Sequence, residues 1–160
     1  MLKNKDENGS IFSPSQISRF KYATQKYMTL KLKDMGISTC VGVYITALYR
    51  EGNMTFKELT EHIGFDKANS SRVIKELESK SIIEKDLKEK QKKVKFYLTE
   101  KGISIAKQIE LHIKEWHEVM FCDVSADEKQ VFRDVYSKVY KNITEFLVEK
   151  EKGGKDEKDI

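Results

Sequence analysis

The chain has 160 residues, of which 39% are hydrophobic and 35% are charged, and its formal net charge at pH 7 is +4. These values predict one well-buried, helix-rich core rather than a disordered chain, and one proline with eight glycines leaves little material for an all-β fold. The sequence has no apolar run that could cross a bilayer and no apolar segment of a signal peptide, so we expect a cytoplasmic protein without membrane contact.

The first predicted elements are a flexible tail and a helix. Residues 1–12 are expected to form the tail. Ser13 then serves as an N-cap, Pro14 takes the first helical position, and Gln16 completes a capping box. The helix is predicted to end at Gly36. Its apolar stripe recurs every three or four residues and comprises Ile17, Phe20, Thr24, Tyr27 and Leu30.

Two shorter helices are predicted next. One starts at Ser38 or the residue after it and ends at Gly52. Its spacing predicts a buried side of Val41, Tyr44, Ile45 and Leu48. The other begins at the capping box Thr55-x-x-Glu58 and ends at Gly64. Its inward residues are predicted to be Phe56, Leu59 and Ile63.

A fourth helix follows after a tight break, from its cap Asp66 to about Lys80. Its inward side is predicted to be Ser70, Val73, Ile74 and Leu77. Arginine and asparagine carry the paired donors and acceptors that read guanine and adenine, and small polar residues allow close approach to base edges. The candidate DNA-binding residues of this helix are Lys67, Asn69, Ser70, Ser71, Arg72 and Lys75.

A lysine-rich hairpin comes next, starting at Ile82 and Ile83 and returning through residues 94–98. On the return strand, alternation predicts Lys95 and Tyr97 outward, with Val94, Phe96 and Leu98 inward. Helix, turn, helix and basic wing is an arrangement that lays one helix in a DNA major groove and rests the wing on flanking phosphates. The candidate phosphate contacts of the wing are Lys88, Lys90, Lys92 and Lys93.

Two long helices complete the chain. Thr99 is predicted to cap the first, with an apolar face of Ile105, Ile109, Ile113, Trp116 and Met120. Ser125-x-x-Glu128 is predicted to cap the last, whose apolar residues are Val131, Phe132, Val135, Tyr136, Val139, Tyr140, Ile143, Phe146 and Leu147. This stripe is too broad for a solvent-facing helix, so we expect a partner, most simply a second copy of the chain. The composition of residues 149–160 predicts a disordered tail.

Several of these segments together resemble the MarR family of winged helix-turn-helix transcriptional regulators. The resemblance spans about residues 13–148. It is carried by the Met54-to-Gly64 helix, the helix of residues 67–80, Ile82-Ile83-Glu84-Lys85, the lysine-rich wing and Leu98-Thr99-Glu100-Lys101-Gly102.

The resemblance implies a mainly α fold with a small β-hairpin wing, in which a winged helix-turn-helix lobe at residues 37–99 joins a helical dimerisation region at 13–36 and 100–148. It further implies a homodimer that binds a pseudo-palindromic operator in double-stranded DNA. We expect a repressor whose release is controlled by a small-molecule effector or a redox event.

The chain departs from the family pattern in two features, the wing and the residue after the fourth helix. Lys90 and Lys92 stand where family wings carry an aspartate and an arginine, and lysine lacks the planar fork that suits a narrow minor groove. Ser81 stands where the family has a glycine after the fourth helix, so a left-handed serine is expected there. The wing is therefore expected to supply affinity for phosphate.

A different function is also compatible with the pattern, namely a winged-helix protein-interaction module without operator specificity. An enzyme is not expected, because the sequence has no phosphate-cradling glycine loop and no nucleophile elbow. The effector site is unknown. Four side chains are candidates for the lining of an effector pocket: Tyr27, Tyr44, Trp116 and Met120. Aromatic residues at helical spacing more often belong to the hydrophobic core.

The cysteines and histidines give no strong signal for a metal site or a cofactor. Cys40 and Cys122 are far apart and predicted to be reduced, mostly buried thiols in different helices. Their redox activity is left open. His62, His112 and His117 are scattered and form no zinc-ligand spacing. We therefore expect neither metal nor cofactor.

Overall fold

The computed structural model describes residues 13–86 and 94–156. The predicted tail at 1–12 and the wing lysines Lys88, Lys90, Lys92 and Lys93 lie outside these ranges. In chain order, the described elements are α1 (Pro14–Lys33), α2 (Thr39–Glu51), β1 (Met54–Thr55), α3 (Phe56–Ile63), α4 (Lys67–Ser79), β2 (Ile83–Asp86), β3 (Lys95–Leu98), α5 (Glu100–Met120) and α6 (Ala126–Asp156). The chain forms two compact units that meet in sequence between His117 and Glu118.

Capping boxes start three helices, as the sequence predicts. In each box the backbone N–H of a serine or threonine donates to a side-chain oxygen three residues later, satisfying a group that the helix itself cannot pair. The N···O distances are 2.7 Å for Ser13–Gln16, 2.7 Å for Thr55–Glu58 and 2.8 Å for Ser125–Glu128. Asp66 likewise caps α4, which confirms the predicted beginning of that helix.

The core of the first unit forms where the helical periodicity places it. On α2, the predicted buried side is confirmed: Val41, Tyr44, Ile45 and Leu48. On α4 the predicted inward side is also confirmed: Ser70, Val73, Ile74 and Leu77. Leu59 of α3, Ile83 of β2 and Ile109 of α5 complete this core with almost no exposed surface.

The N-terminal helix behaves differently, because its predicted apolar stripe is largely exposed. Met28 and Leu32 are the buried side chains of α1, and neither belongs to the predicted stripe. Ile17, Phe20 and Leu30 of the predicted stripe are 59%, 61% and 64% exposed. This single chain therefore leaves an apolar strip of α1 uncovered.

The wing is part of a three-stranded antiparallel sheet in the order β1-β3-β2. Ile83 pairs with Leu98, and Met54 of β1 pairs with Phe96 on the other edge of β3. The sequence pattern began the following helix at Thr55 and predicted no strand before it, because a two-residue strand has no periodicity to detect. Phe96 is buried as predicted, whereas the prediction for Val94 was wrong, since its side chain is 46% exposed.

A close junction joins α4, β2 and α5. Ser81 adopts the predicted left-handed conformation with φ of 53°, and it alone does so among the non-glycine residues of the described ranges. The Thr99 hydroxyl donates to the Ser81 carbonyl at 2.9 Å and accepts from the Gly102 N–H at 3.1 Å. A Cβ on Gly102 would overlap the carbonyl oxygen of Ile82. The wing thus enters and leaves next to the start of α5.

The second unit contains α6, whose apolar residues are exposed in the single chain. Phe132, Tyr136 and Tyr140 form a ladder of rings whose successive centroids are 6.4 Å and 6.2 Å apart. The helix continues to Asp156, although the composition predicts an irregular tail from Glu149. Lysine and glutamate have high intrinsic helix propensity, which is consistent with this extension.

Candidate nucleic-acid interface

The fourth helix is set by its own N-terminus and by a tight turn before it. Gly64 ends α3 in the left-handed region with φ of 74°, and the chain then turns directly into α4. The Asp66 carboxylate accepts from the Asn69 N–H at 2.9 Å. A negative charge at this position also interacts favourably with the helix dipole. The first turn of α4, which carries several of the candidate contacts, is therefore well fixed.

A buried hydrogen-bond chain anchors α4 to α2. The Tyr44 hydroxyl donates to the Ser70 hydroxyl at 2.8 Å, and Ser70 donates to the Asp66 carbonyl at 2.9 Å. Burial raises the pKa of Tyr44, so the phenol stays neutral and remains a donor. Ser70 has no exposed surface. The structure therefore corrects the expectation that Ser70 contacts DNA, because its hydroxyl is occupied in the core.

The other predicted residues share the outward face of α4. Lys67, Arg72 and Lys75 are exposed, while Asn69 and Ser71 are half-buried. Arg72 Nη2 donates to Asn69 Oδ1 at 2.8 Å. This link was not predicted, although residues three apart on a helix are neighbours and their spacing was available in the sequence.

The charges of α4 are unevenly compensated. Its two carboxylates have cationic partners, since Glu76 pairs with Lys80 at 2.7 Å and Glu78 pairs with Lys85 at 2.8 Å. Within the described ranges, Lys67 and Lys75 have no ion-pair partner. The N-terminal two-thirds of the helix therefore presents a surplus of positive charge to solvent.

The base of the wing has a different character. The Tyr97 hydroxyl donates to Glu84 Oε2 at 2.8 Å across the β2–β3 pair. This hydrogen bond to a carboxylate raises the pKa of Tyr97. The described strands of the wing, β2 and β3, hold two lysines and two acidic residues, so they carry no excess of positive charge.

A polar and aromatic cluster connects α1 with α5 in the first unit. Glu115 Oε2 accepts from Lys31 at 2.9 Å, from Tyr27 at 3.0 Å and lies 3.2 Å from His112 Nδ1. These hydrogen bonds, that from Lys31 first, lower the pKa of Glu115 to about 2. Tyr27 stacks on Trp116 with ring centroids 4.7 Å apart.

The effector-pocket candidates are therefore not gathered around one cavity in the first unit. Tyr27 and Trp116 pack on each other, whereas the Tyr44 hydroxyl is bonded to Ser70 in the lobe core. Met120 belongs to the second unit. Three of the four side chains, Tyr27, Trp116 and Tyr44, therefore make structural contacts.

The cysteines differ from each other in exposure. Cys40 is half-buried near the start of α2. Cys122 is exposed and lies in the turn between α5 and α6, so the prediction of a mostly buried, helical thiol was wrong for it. In the part of the chain that the structure describes, no group of three or more histidine, cysteine, aspartate or glutamate side chains could hold a metal ion. None of the described helices is long and apolar enough to span a membrane.

Comparison with known proteins links this geometry to one family. The family model described as the MarR family matches residues 42–95, which cover most of α2 and the whole of α3, α4 and β2. A relative from Bacillus subtilis (strain 168), described as the HTH-type transcriptional regulator YybA, is 26% identical over 129 residues. That match covers 80% of this chain and 86% of the relative.

Solved structures share the fold. A MarR family transcriptional regulator from Listeria monocytogenes, complexed with a 26mer DNA, has a TM-score of 0.80 at 21% identity, covering 90% of this chain and 97% of that one. A MarR transcriptional regulator from Methanosarcina mazei Go1 has a TM-score of 0.75 at 21% identity, covering 82% and 89%. At these identities the likeness demonstrates a common fold.

Proposed function

We propose that this chain is a MarR-family transcriptional regulator that binds double-stranded DNA and recognises a pseudo-palindromic operator as a homodimer. Residues 37–99 form the DNA-binding lobe, and residues 13–36 and 100–148 form the dimerisation region. The protein acts in the cytoplasm as a repressor, and a small-molecule effector releases it from the operator. The DNA complex of the Listeria monocytogenes relative supports the choice of partner.

The outward face of α4 is the observation that carries this proposal. The helix has its inner side buried and its own carboxylates paired, while Lys67, Arg72 and Lys75 are exposed. A helix with this distribution suits insertion into a major groove, where arginine and asparagine contact base edges and lysine contacts phosphate. The proposed base-reading set is therefore Lys67, Asn69, Ser71, Arg72 and Lys75.

The wing lysines supply the second contact of the proposal. Lys88, Lys90, Lys92 and Lys93 follow β2 in the sequence and precede β3, so they belong to the hairpin connection. Each lysine that neutralises a phosphate releases condensed counterions, which increases affinity for every sequence alike. The wing accordingly provides affinity, and α4 provides specificity.

The exposed apolar surface supports the homodimer. Val135, Val139 and Ile143 of α6 are 52%, 49% and 53% exposed, and Phe20 of α1 is 61% exposed. Isolated apolar side chains on a surface need no explanation, but contiguous rows of this kind mark protein–protein contacts. A closed two-fold dimer covers the same row on both copies.

Selection of bound duplexes from a random DNA pool at near-physiological salt tests the function. Enrichment of a two-fold symmetric motif, with half-sites about one helical turn apart, is the expected result. Sequence-independent retention would contradict operator recognition. Absence of any salt-dependent binding would favour the protein-interaction module, which keeps the fold but reads no operator.

A further inference from the structure

The side chains of Asn69 and Arg72 are hydrogen-bonded to each other on the outward face of α4. On the basis of the proposed function, we propose that Asn69 is a positioning residue for Arg72 and that this pair selects guanine rather than adenine. Asparagine would otherwise be the residue expected to read adenine. The proposal therefore assigns a specificity to the operator half-site.

The position of Asn69 explains why it can hold the arginine. Its backbone N–H is tied to the Asp66 cap at 2.9 Å, so its Cα is fixed in the first turn of α4. Its side chain is half-buried, whereas that of Arg72 is exposed. Arg72 Nη2 reaches back one turn and donates to Asn69 Oδ1 at 2.8 Å. The less exposed residue thus holds the guanidinium of the more exposed one in place.

Adenine does not match this arrangement. To read adenine, an asparagine donates from its amide nitrogen to N7 and accepts from the N6 amine through its amide oxygen. In this chain that oxygen already accepts from the guanidinium. An N6 amine approaching Oδ1 would also meet the cationic donors of Arg72, and two donor groups facing each other repel.

Guanine matches it. Its O6 and N7 atoms are both acceptors in the major groove, and arginine contacts them with two N–H groups. A guanidinium has five N–H donors, so the bond to Asn69 leaves four. Because the fork is already oriented, less side-chain freedom is lost when the base is bound. The linked pair therefore favours a base that presents only acceptors.

The test measures discrimination between bases rather than total affinity. Duplexes carrying the selected half-site are prepared with guanine, 7-deazaguanine, inosine or adenine at the position contacted by α4. Inosine retains O6 and N7, so wild-type protein is expected to bind it as it binds guanine. Removal of N7 or replacement by adenine is expected to weaken binding about ten- to a hundred-fold.

Two variants separate positioning from a structural role. Asn69→Ala removes the acceptor for Arg72, and the ratio of affinities for guanine and adenine is expected to fall about tenfold. Asn69→Asp retains a side-chain oxygen that accepts from the guanidinium. It is expected to keep the ratio even though its negative charge lowers affinity for all duplexes. Circular dichroism and thermal denaturation verify that both variants keep the overall helix content and stability of the wild type.

The outcomes distinguish this inference from the function on which it rests. If wild-type protein enriches no symmetric motif, the proposed function fails. If it enriches a motif in which adenine is contacted and Asn69→Ala abolishes that preference, DNA recognition stands and the guanine inference is overturned. Full retention of the guanine ratio in Asn69→Ala would likewise show that Arg72 needs no positioning residue.

Discussion

The hydroxyl groups of Tyr44 and Ser70 lie 2.8 Å apart across the contact between α2 and α4, and both side chains are fully buried. This is the polar link between the scaffold of the lobe and the helix proposed to read DNA. Because the Ser70 hydroxyl in turn donates to the Asp66 carbonyl, this series of hydrogen bonds ends at the N-cap residue of α4. The hydrogen bonds on the buried side of α4 thus fix the orientation of its outward face.

Removing the Tyr44 hydroxyl should lower the stability of the lobe without changing its fold. Tyr44→Phe is expected to lower the free energy of unfolding by about 1 kcal/mol, since one buried hydrogen bond is lost. Urea denaturation at constant protein concentration measures the change. Tyr49→Phe is the matched control, because Tyr49 is 39% exposed and its substitution should have little effect. Equal loss in both variants would contradict a special role for the Tyr44–Ser70 bond.

The left-handed serine predicts opposite effects for two substitutions. Ser81 has φ of 53°, a conformation that glycine adopts without a steric penalty. Ser81→Gly is expected to raise the free energy of unfolding by about 0.5–1 kcal/mol, part of the gain being offset by the greater freedom of glycine in the unfolded chain. Ser81→Val should lower it by about 1–2 kcal/mol. A glycine variant less stable than wild type in thermal denaturation would refute this explanation.

The Glu115 cluster predicts a pH dependence. Lys31, His112 and Tyr27 hold the pKa of Glu115 at about 2, below its ordinary value of 4.5. A carboxylate with a lowered pKa in the folded state stabilises the fold above its unfolded pKa. That contribution is lost as the pH falls from about 4.5 towards 2. Glu115→Gln is therefore expected to flatten the acid side of a melting-temperature profile over this interval. Glu149→Gln, in the second unit, should leave the profile unchanged.

The proposed roles of α4 and the wing predict different losses of DNA affinity. Arg72→Ala is expected to cost about 1–3 kcal/mol on the selected operator and to relax specificity at one base pair. Lys92→Ala should weaken binding to specific and random duplexes alike and reduce the slope of affinity against salt by about 1. Lys107→Ala on α5 controls for the loss of one positive charge. Equal losses on both kinds of DNA from Arg72→Ala and Lys92→Ala would contradict the division of roles.

The apolar row of α6 predicts the oligomeric state. Val139 is 49% exposed in the single chain and lies between Tyr136 and Tyr140 of the aromatic ladder in sequence. Val139→Glu places a charge within the proposed interface and is expected to convert the dimer into a monomer in sedimentation velocity. Lys138→Glu, one residue away on the polar side, changes the charge without entering the apolar row. A wild-type monomer would refute the dimer directly.

The sequence predicted the helices, and the buried sides of α2 and α4, because the governing signals are local, whereas the stripe predicted for α1 is largely exposed. Caps such as Ser38 and Asp66 mark helix beginnings, and a repeat of 3.6 residues separates the inner side of α4 from its outer side. Ser70 illustrates the limit of this approach. Its residue type suggested a base contact, but its position on the inner side of the helix decided its role.

Other features depend on contacts that a pattern does not specify. β1 is too short for alternation and exists because its two residues pair with β3. The bond between Asn69 and Arg72 is one of several that the spacing allows. The four-residue cluster at Glu115 brings together α1 and α5, which are far apart in sequence. Tertiary packing selects such contacts, so the sequence gives only their candidates.

The close approach of Gly102 to the Ile82 carbonyl oxygen restricts which residues position 102 can accept. Any larger residue at position 102 would push the start of α5 away from the wing. The two strands of the wing are held together at the same end, where the Thr99 hydroxyl donates to the Ser81 carbonyl. A substitution at Gly102 is therefore expected to disturb the base of the wing as well as α5, because the overlapping atom is a backbone oxygen that cannot rotate away as a side chain could.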